Sequence, residues 1–336
     1  VWFIDFLLSH QGGKMTLRIL HHNDPDGYAS AYIVFDFALK SELVNLVSEI
    51  KFHSMAYGQP VPVEIDYSQD RVIMVDFSLQ PLRAMEEFAA RFPVGQFIWI
   101  DHHQTSIDME ELSSFGLKDI PGIREVSDKK GRPTAACELT WQFFFPGEDL
   151  PPGIEMLGGW DTWRYVKEED SRSKFFIQYC NSINCTPYSQ EGQTFWENIL
   201  LANDNPHDWL YENVLREGEA IDRFRTNDNV KRIKGSGFAG KFGGYSAIMV
   251  NDAGGSLLFE GFKPAPSEVD LMVAFKFTKN GYFTVSLYSV QEHIDCGAIA
   301  KKLGEAGPIP SGGGHKGAAG FQCNWSYLES IIERNV

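Results

Sequence analysis

Positive charge is scarce in this 336-residue chain: 30 Lys and Arg face 45 Asp and Glu, for a formal net charge of -15. A surface of that sign repels polyanions, which excludes a protein that coats long nucleic acid non-specifically. The acidic excess is concentrated in the first half. The stretch from Gly235 onward is close to neutral and is the better place to receive an anionic ligand. Cysteine is sparse as well, and Cys137, Cys180, Cys185, Cys296 and Cys323 form no C-x-x-C pair. An odd number without zinc spacing argues against a disulfide framework and for reduced packing thiols, as expected of a cytoplasmic protein. No run approaches the roughly 18–20 apolar residues that span a bilayer, so no membrane partner is expected. The opening run from Val1 to Leu8 is short, carries Asp5 and lacks the basic segment of a signal peptide. Residues 1–14 are expected to be an extension outside the fold, which Met15 begins. Internal repeats and low-complexity segments are absent.

What is present is ample material for packed cores, with 43% hydrophobic and 13% aromatic residues. The length points to two domains. Early in the chain, strand-like runs (Leu17–His22, Arg71–Asp76, Gln96–Ile100) alternate with helical patterns (Gly27–Lys40, Pro81–Arg91). That alternation predicts an α/β domain with a parallel, doubly wound sheet, whose ligands gather at the carboxyl ends of the strands. Pro133-Thr134 leads into a further helix. From Pro206 to about Lys234 the apolar spacing predicts one long amphipathic connecting helix, ended by Gly235-Ser236-Gly237. Strand patterns at Tyr245–Val250, Val269–Phe277 and Tyr282–Tyr288, with helical patterns around Cys296–Leu303 and Trp325–Arg334, predict a second, smaller α/β domain.

Acidic and imidazole groups cluster where the predicted strands end. His22-Asn23-Asp24-Pro25-Asp26-Gly27 follows the first strand, Asp76 closes the second, and Asp101-His102-His103 follows the third. Gly158-Gly159-Trp160-Asp161 comes later. If the first strand runs on through its motif, alternation puts His22, Asp24 and Asp26 on one side, and Gly27 lets the backbone turn into a helix. A lone residue of this kind is usually a cap or a surface group. The joint set offers seven oxygen and nitrogen ligands, enough for two divalent cations with one bridging carboxylate. Hard, mixed ligands of this type suit Mn²⁺, with Mg²⁺ and Co²⁺ as alternatives, better than the thiolate sites of structural zinc. His21 is the rival to His22 but points to the other side of the strand, as a packing residue would. Near the C-terminus, the backbone of Gly312-Gly313-Gly314-His315 could cradle a phosphate, with His315 and Lys316 adding positive charge.

These motifs, in this order, resemble the signatures of the DHH phosphoesterase superfamily, and Gly312-Gly313-Gly314-His315 with Ala318-Ala319-Gly320 is similar to the signature of the DHHA1 domain. The resemblance runs from about Met15 to the C-terminus. It is nearest to the branch of nanoRNase B-type oligoribonucleases and cAMP/cGMP phosphodiesterases. It implies a DHH metal-binding catalytic domain over 15–190, a helical linker over 191–234 and a DHHA1 substrate-binding domain over 235–336. It also implies that His22, Asp24 and Asp76 hold one cation, and that Asp26, Asp76, His102 and Asp161 hold the other. Asp101 would then orient the site while His103 faces the scissile phosphate.

One departure stands out: many relatives carry Arg where this chain has Tyr288, so the grip on a terminal phosphate needs another source. Lys241, Lys263 and Lys316 are candidates, as is Arg132 ahead of the helix that follows Pro133. Trp160, Trp163 and Tyr165 could stack a base, but core packing is the stronger expectation for them, as it is for Phe143, Phe144 and Phe145. The activity implied is hydrolysis of short phosphodiesters by a metal-activated water: nano-RNA, di- or cyclic nucleotides, or adenosine bisphosphate. The alternatives are a catalytically inactive nucleotide-binding protein, a single-strand exonuclease and a pyrophosphatase. A short oligonucleotide or small nucleotide is the expected partner, a long nucleic acid is not, and a homodimer is one open option for assembly.

Overall fold

The computed structural model describes residues 15–57, 59–103, 107, 112, 114, 116–201, 209–252, 257–259, 261–262, 269–289, 291, 293–309, 311–314 and 316–334. The chain divides into two compact units, the division falling between Ile221 and Asp222.

The first unit is built on four parallel strands, β1 (Met15–His22), β2 (Val47–Met55), β3 (Arg71–Val75) and β4 (Phe97–Ile100), in the order β2-β1-β3-β4. The register explains where the acidic motifs meet. His21 pairs with Val75, and Val75 pairs with Ile100, so His22, Asp76 and Asp101 leave the same edge of the sheet. Strands β3 and β4 are buried on both faces, which is why they read as unbroken apolar runs. On one face Val72, Met74, Phe97 and Trp99 pack on Leu82, Met85 and Phe88 of helix α2 (Leu82–Ala89). On the other, Ile73, Val75, Ile98 and Ile100 pack on α1 (Pro25–Lys40) and α3 (Ala136–Phe144). Helices thus cover both faces, as a doubly wound sheet requires.

Strand β2 has no counterpart among the sequence expectations. Its sequence, Val47-Ser48-Glu49-Ile50-Lys51, is polar because it is an edge strand, paired with β1 alone and half open to solvent. A further layer of helices, α4 (Pro152–Asp161), α5 (Ser171–Cys180) and α6 (Gln190–Leu201), packs around Trp141, Phe176 and Trp196. Phe144 is buried, and Phe145 stacks on Trp141 at 4.3 Å, as core residues do.

Helix α7 (Arg216–Ser236) follows a single π-helical turn, Tyr211–Leu215, and ends where the glycines predicted it would. The second unit carries a seven-stranded sheet of β5 (Phe238–Phe242), β6 (Tyr245–Val250), β7 (Leu271–Phe277), β8 (Phe283–Tyr288), β9 (Gly313–Gly314), β10 (Ala318–Cys323) and β11 (Ile332–Arg334). The order is β11-β5-β6-β7-β8-β10-β9, with only β6 and β7 parallel. Helices α8 (Cys296–Ala306) and α9 (Trp325–Ile331) complete it, over a core that includes Phe242, Val273, Leu287 and Phe321. The helix expected over Trp325–Arg334 stops at Ile331, because the last residues pair with β5 instead. All five cysteines are free and buried. No helix among the described residues is long and apolar enough to cross a membrane.

Candidate metal centre

The first motif converges by a different route from the one its alternation suggests. Strand β1 stops at His22; Asp24 is the N-cap of α1 and Asp26 lies in its first turn, behind Pro25 at the helix start. One oxygen of Asp24 accepts the Gly27 N–H at 3.0 Å while the other faces His22 Nδ1 at 2.6 Å. Asp24 is therefore a cap and a candidate ligand at once. Gly27 is helical, not a turn residue. It is needed because a Cβ there would lie 2.3 Å from the His22 carbonyl oxygen, so only glycine lets α1 start this close to β1.

Each remaining carboxylate has its own support. Asp26 is buried at the start of α3, where the Ala136 and Cys137 N–H groups donate to it at 3.0 and 2.8 Å. Asp101 Oδ1 accepts from the His102 N–H at 2.8 Å, the His103 N–H at 3.2 Å and His103 Nδ1 at 2.7 Å. Asp161 ends α4. Asp76 has a left-handed backbone, φ 55°, and is 1% exposed. Among the described residues, none donates a hydrogen bond to either of its carboxylate oxygens.

Three groupings of ligand atoms lie within 4.8 Å of one another: His22, Asp24 and Asp76; Asp26, His102 and Asp161; and Asp76, His102 and His103. Asp76 joins them, with Oδ2 at 3.8 Å from His22 Nδ1 and Oδ1 at 3.4 Å from His102 Nε2. His102 Nε2 also lies 3.7 Å from Asp26 and 3.3 Å from Asp161. Burial, and then the charges of Asp26, Asp24, Asp161 and Asp101, push the Asp76 carboxyl well above the usual range. Burial and then Asp26 push Asp161 up to about 7. Burial alone would lower His103, but the hydrogen bond and charge of Asp101 overcome it and raise the imidazole to about 9. A buried, donor-free carboxylate among four others is what a cation-binding cluster presents before cations neutralise it. The oxygen and imidazole ligands fit Mn²⁺, Mg²⁺ or Co²⁺.

Behind the centre lies a support that sequence reading missed. Arg164 and Glu138 form a buried, bidentate pair at 2.7 and 2.8 Å, with side chains 3% and 2% exposed. Glu138 also accepts the Ala135 N–H at 3.0 Å, fixing the α3 terminus that holds Asp26. Gly158 lets α4 approach, since a Cβ there would lie 2.4 Å from Glu138 Cδ. The sequence hint was Gly158-Gly159 three residues ahead of Asp161; nothing local pairs residues 26 apart.

No family model matches the chain. The uncharacterized protein R106 of Acanthamoeba polyphaga mimivirus is 25% identical over 217 residues, which is 60% of this chain and 46% of that protein. The chain thus spans less than half the length of this curated relative. Among solved structures, the pGpG-specific phosphodiesterase PggH from Vibrio cholerae aligns with TM-score 0.50 and 12% identity, covering 94% of this chain and 96% of that one. RecJ from Thermus thermophilus, in complex with Mn²⁺, aligns with TM-score 0.53 and 16% identity over 98% of this chain and 52% of RecJ. The chain shares the fold of these two enzymes.

Within that fold the other predicted residues have diverse settings. His21 is fully buried, bonds the His22 carbonyl through Nδ1 at 2.8 Å and meets Tyr28 and Phe52 edge-on, as a packing residue does. Arg132 is engaged by Glu155 at 2.9 Å and Glu168 at 3.7 Å. Trp160 stacks on Tyr165 at 4.8 Å and packs against the helical core. In the second unit Tyr288 sits half-buried on β8, against Phe259, and lines a cavity of about 620 Å³ with Ser286, Gly312 and Gly320. Gly313 and Gly314 are exposed on β9, paired with Gly320 and Ala319. Gly314 has φ 137°, and a Cβ there would lie 2.7 Å from Ala319 Cα, so this strand needs glycine for packing as well as for any ligand. Lys241 and Lys316 are exposed. His315 and Lys263 lie outside the described residues.

Proposed function

We propose that this chain is a metal-dependent phosphodiesterase of the DHH/DHHA1 type, acting on short phosphodiester substrates and using two divalent cations, Mn²⁺ first among them. The observation that carries the reading is Asp76, buried between two ligand groups and receiving no hydrogen bond from any described residue. His22, Asp24 and Asp76 would hold one cation, and Asp26, Asp76, His102 and Asp161 the other. When bound, such cations supply Lewis acidity, activating water as a nucleophile and neutralising charge that develops on the phosphate. The chain's own groups do the rest. His103, which keeps its proton through Asp101, offers a cationic donor to a phosphate oxygen. Asp101, tied by three donors, fixes the angle at which His103 is presented. Asp26, anchored by two N–H groups at the start of α3, faces His102 Nε2 at 3.7 Å.

Short substrates suit the net charge of -15, which works against a processive enzyme on long single strands that would need a basic groove. The Gly313-Gly314-His315 segment, Tyr288 and Arg132 remain proposed substrate contacts, with Arg132 the weakest because Glu155 and Glu168 already hold it. The test is turnover with Mn²⁺ of pApA, longer RNA, adenosine bisphosphate, cyclic mono- and dinucleotides and pyrophosphate, ranked by kcat/KM. The dinucleotide is expected to lead and Asp101→Ala to abolish turnover. Tight binding without turnover at any metal would refute the enzyme reading.

A further inference from the structure

Tyr57, just beyond β2, stands beside the metal centre with its ring 5.8 Å from His22 and 5.0 Å from Phe77. Phe77 follows Asp76, is 1% exposed and stacks on His22 at 6.1 Å and 26°. Tyr57 itself is 47% exposed, an open aromatic face set against a buried one. A cavity of about 640 Å³ extends from this pair. Val61, Leu79 and Phe88 add apolar wall, while Gln59, Glu87 and Arg91 stand at the exposed rim with Gln80, whose amide donates to Ser78 Oγ at 3.1 Å. That volume lies inside the range of about 300–1,000 Å³ typical of small-molecule pockets.

Flat apolar walls with a polar rim match one ligand class well: a heteroaromatic ring, apolar on its faces and hydrogen-bonding at its edge. The Gln59 amide both donates and accepts, Glu87 accepts and Arg91 donates, so the rim can serve more than one base edge. The position adds the rest. Two of the residues that line the cavity touch the centre: Tyr57 and Phe77 both pack on the His22 ring, and Phe77 is the residue after Asp76.

We propose that the cavity walled by Tyr57 and Phe77 is a nucleobase subsite, holding the base of the nucleotide whose phosphodiester lies at the Asp76 centre. The inference rests on the phosphodiesterase reading and narrows it: the substrate carries a base, so it is a nucleotide phosphodiester and not pyrophosphate. Tyr57 is a binding residue in this scheme, contributing by stacking, which every base accepts.

The test is equilibrium titration of the Mn²⁺-loaded full chain with GMP, AMP and ribose 5-phosphate by calorimetry. Wild type is expected to bind the two nucleotides at least about tenfold more tightly than the sugar phosphate. Tyr57→Ala removes the stacking face, and Ala84→Trp, on α2, fills the cavity from another side. Both are expected to weaken nucleotide binding about tenfold or more, with Mn²⁺ stoichiometry and ribose 5-phosphate affinity unchanged. Equal binding of nucleotide and sugar phosphate by wild type, no nucleotide binding, or full nucleotide affinity in both variants overturns the subsite. The hydrolase reading is judged separately by turnover. Base-dependent binding without turnover sinks that reading and leaves the subsite; turnover with base-independent binding does the reverse.

Discussion

Replacing Asp76 by Asn separates the stability of this fold from its function. The Asp76 carboxylate is buried, receives no hydrogen bond, and is pushed toward its neutral form by burial and four neighbouring carboxylates. Asn keeps its shape, removes its charge and tolerates the left-handed backbone found there, φ 55°. An unsatisfied buried group costs about 1–3 kcal/mol, more when charged, so Asp76→Asn should stabilise the metal-free protein by about that much. At about 2–4 °C per kcal/mol for a unit of this size, Tm in EDTA rises by roughly 2–12 °C. Wild type gains about 2.7 kcal/mol from Mn²⁺ at a hundred times its Kd, and the variant loses most of that gain. Asp76→Ala removes the same charge but places Ala in the left-handed region, which costs about 1–2 kcal/mol, so it melts below the Asn variant. Calorimetric scans with EDTA and with saturating MnCl₂ read all of this. An Asn variant that melts below wild type in EDTA, or that keeps the full Mn²⁺ shift, refutes the reasoning.

The acidity of Asp161 sets a pH dependence. Its folded value, about 7, lies above the unfolded value of about 3.9, so its ionisation opposes folding increasingly from about pH 4 to 7. Since Mn²⁺ needs the carboxylate ionised, the Mn²⁺-induced rise in Tm should be larger at about pH 8 than at about pH 6; equal rises would contradict the role given to Asp161. Arg164→Leu strands Glu138 as a buried charge and should cost about 3–5 kcal/mol in urea unfolding, with much of it recovered in the Glu138→Leu, Arg164→Leu double variant. A single-variant loss under about 1 kcal/mol would mean the pair is not the support described. His21→Ala should lower Tm yet keep the Mn²⁺ shift, whereas His22→Ala should remove most of the shift; the opposite pattern assigns the ligand role to His21.

Legibility from sequence followed burial. Strands β3 and β4, sealed on both faces, announce themselves as Val72-Ile73-Met74-Val75 and Phe97-Ile98-Trp99-Ile100, and with them the parallel sheet and its ligand-bearing edge. Strand β2 did not, because only its last residue is buried and its polar side chains hide the period. The residues of the centre were legible as types at strand ends. The manner of their meeting was not: His22, Asp24 and Asp26 come together across a strand end, a cap and a helical turn. Alternation along one strand could not have given that geometry. Nor could local pattern pair Glu138 with Arg164, whose partnership depends on how closely Gly158 lets α4 approach. The π-helical turn ahead of α7 likewise left no mark in the apolar spacing.

The five carboxylates of the centre are alike in residue type and divided by their hydrogen bonds. Asp24 spends one oxygen on capping α1, Asp26 takes two N–H groups from α3, and Asp101 takes three donors on one oxygen. Those bonds fix where each carboxylate points. Asp161 takes its place from the end of α4, which Gly158 lets approach α3. Asp76 has neither arrangement: its left-handed backbone and its burial hold it between His22 and His102. A protein that only needed a stable strand end there would gain by giving up the charge, as Asp76→Asn should show. The carboxylate that receives no hydrogen bond from any described residue is the one that lies between the two ligand groups, where the proposed cations would share it.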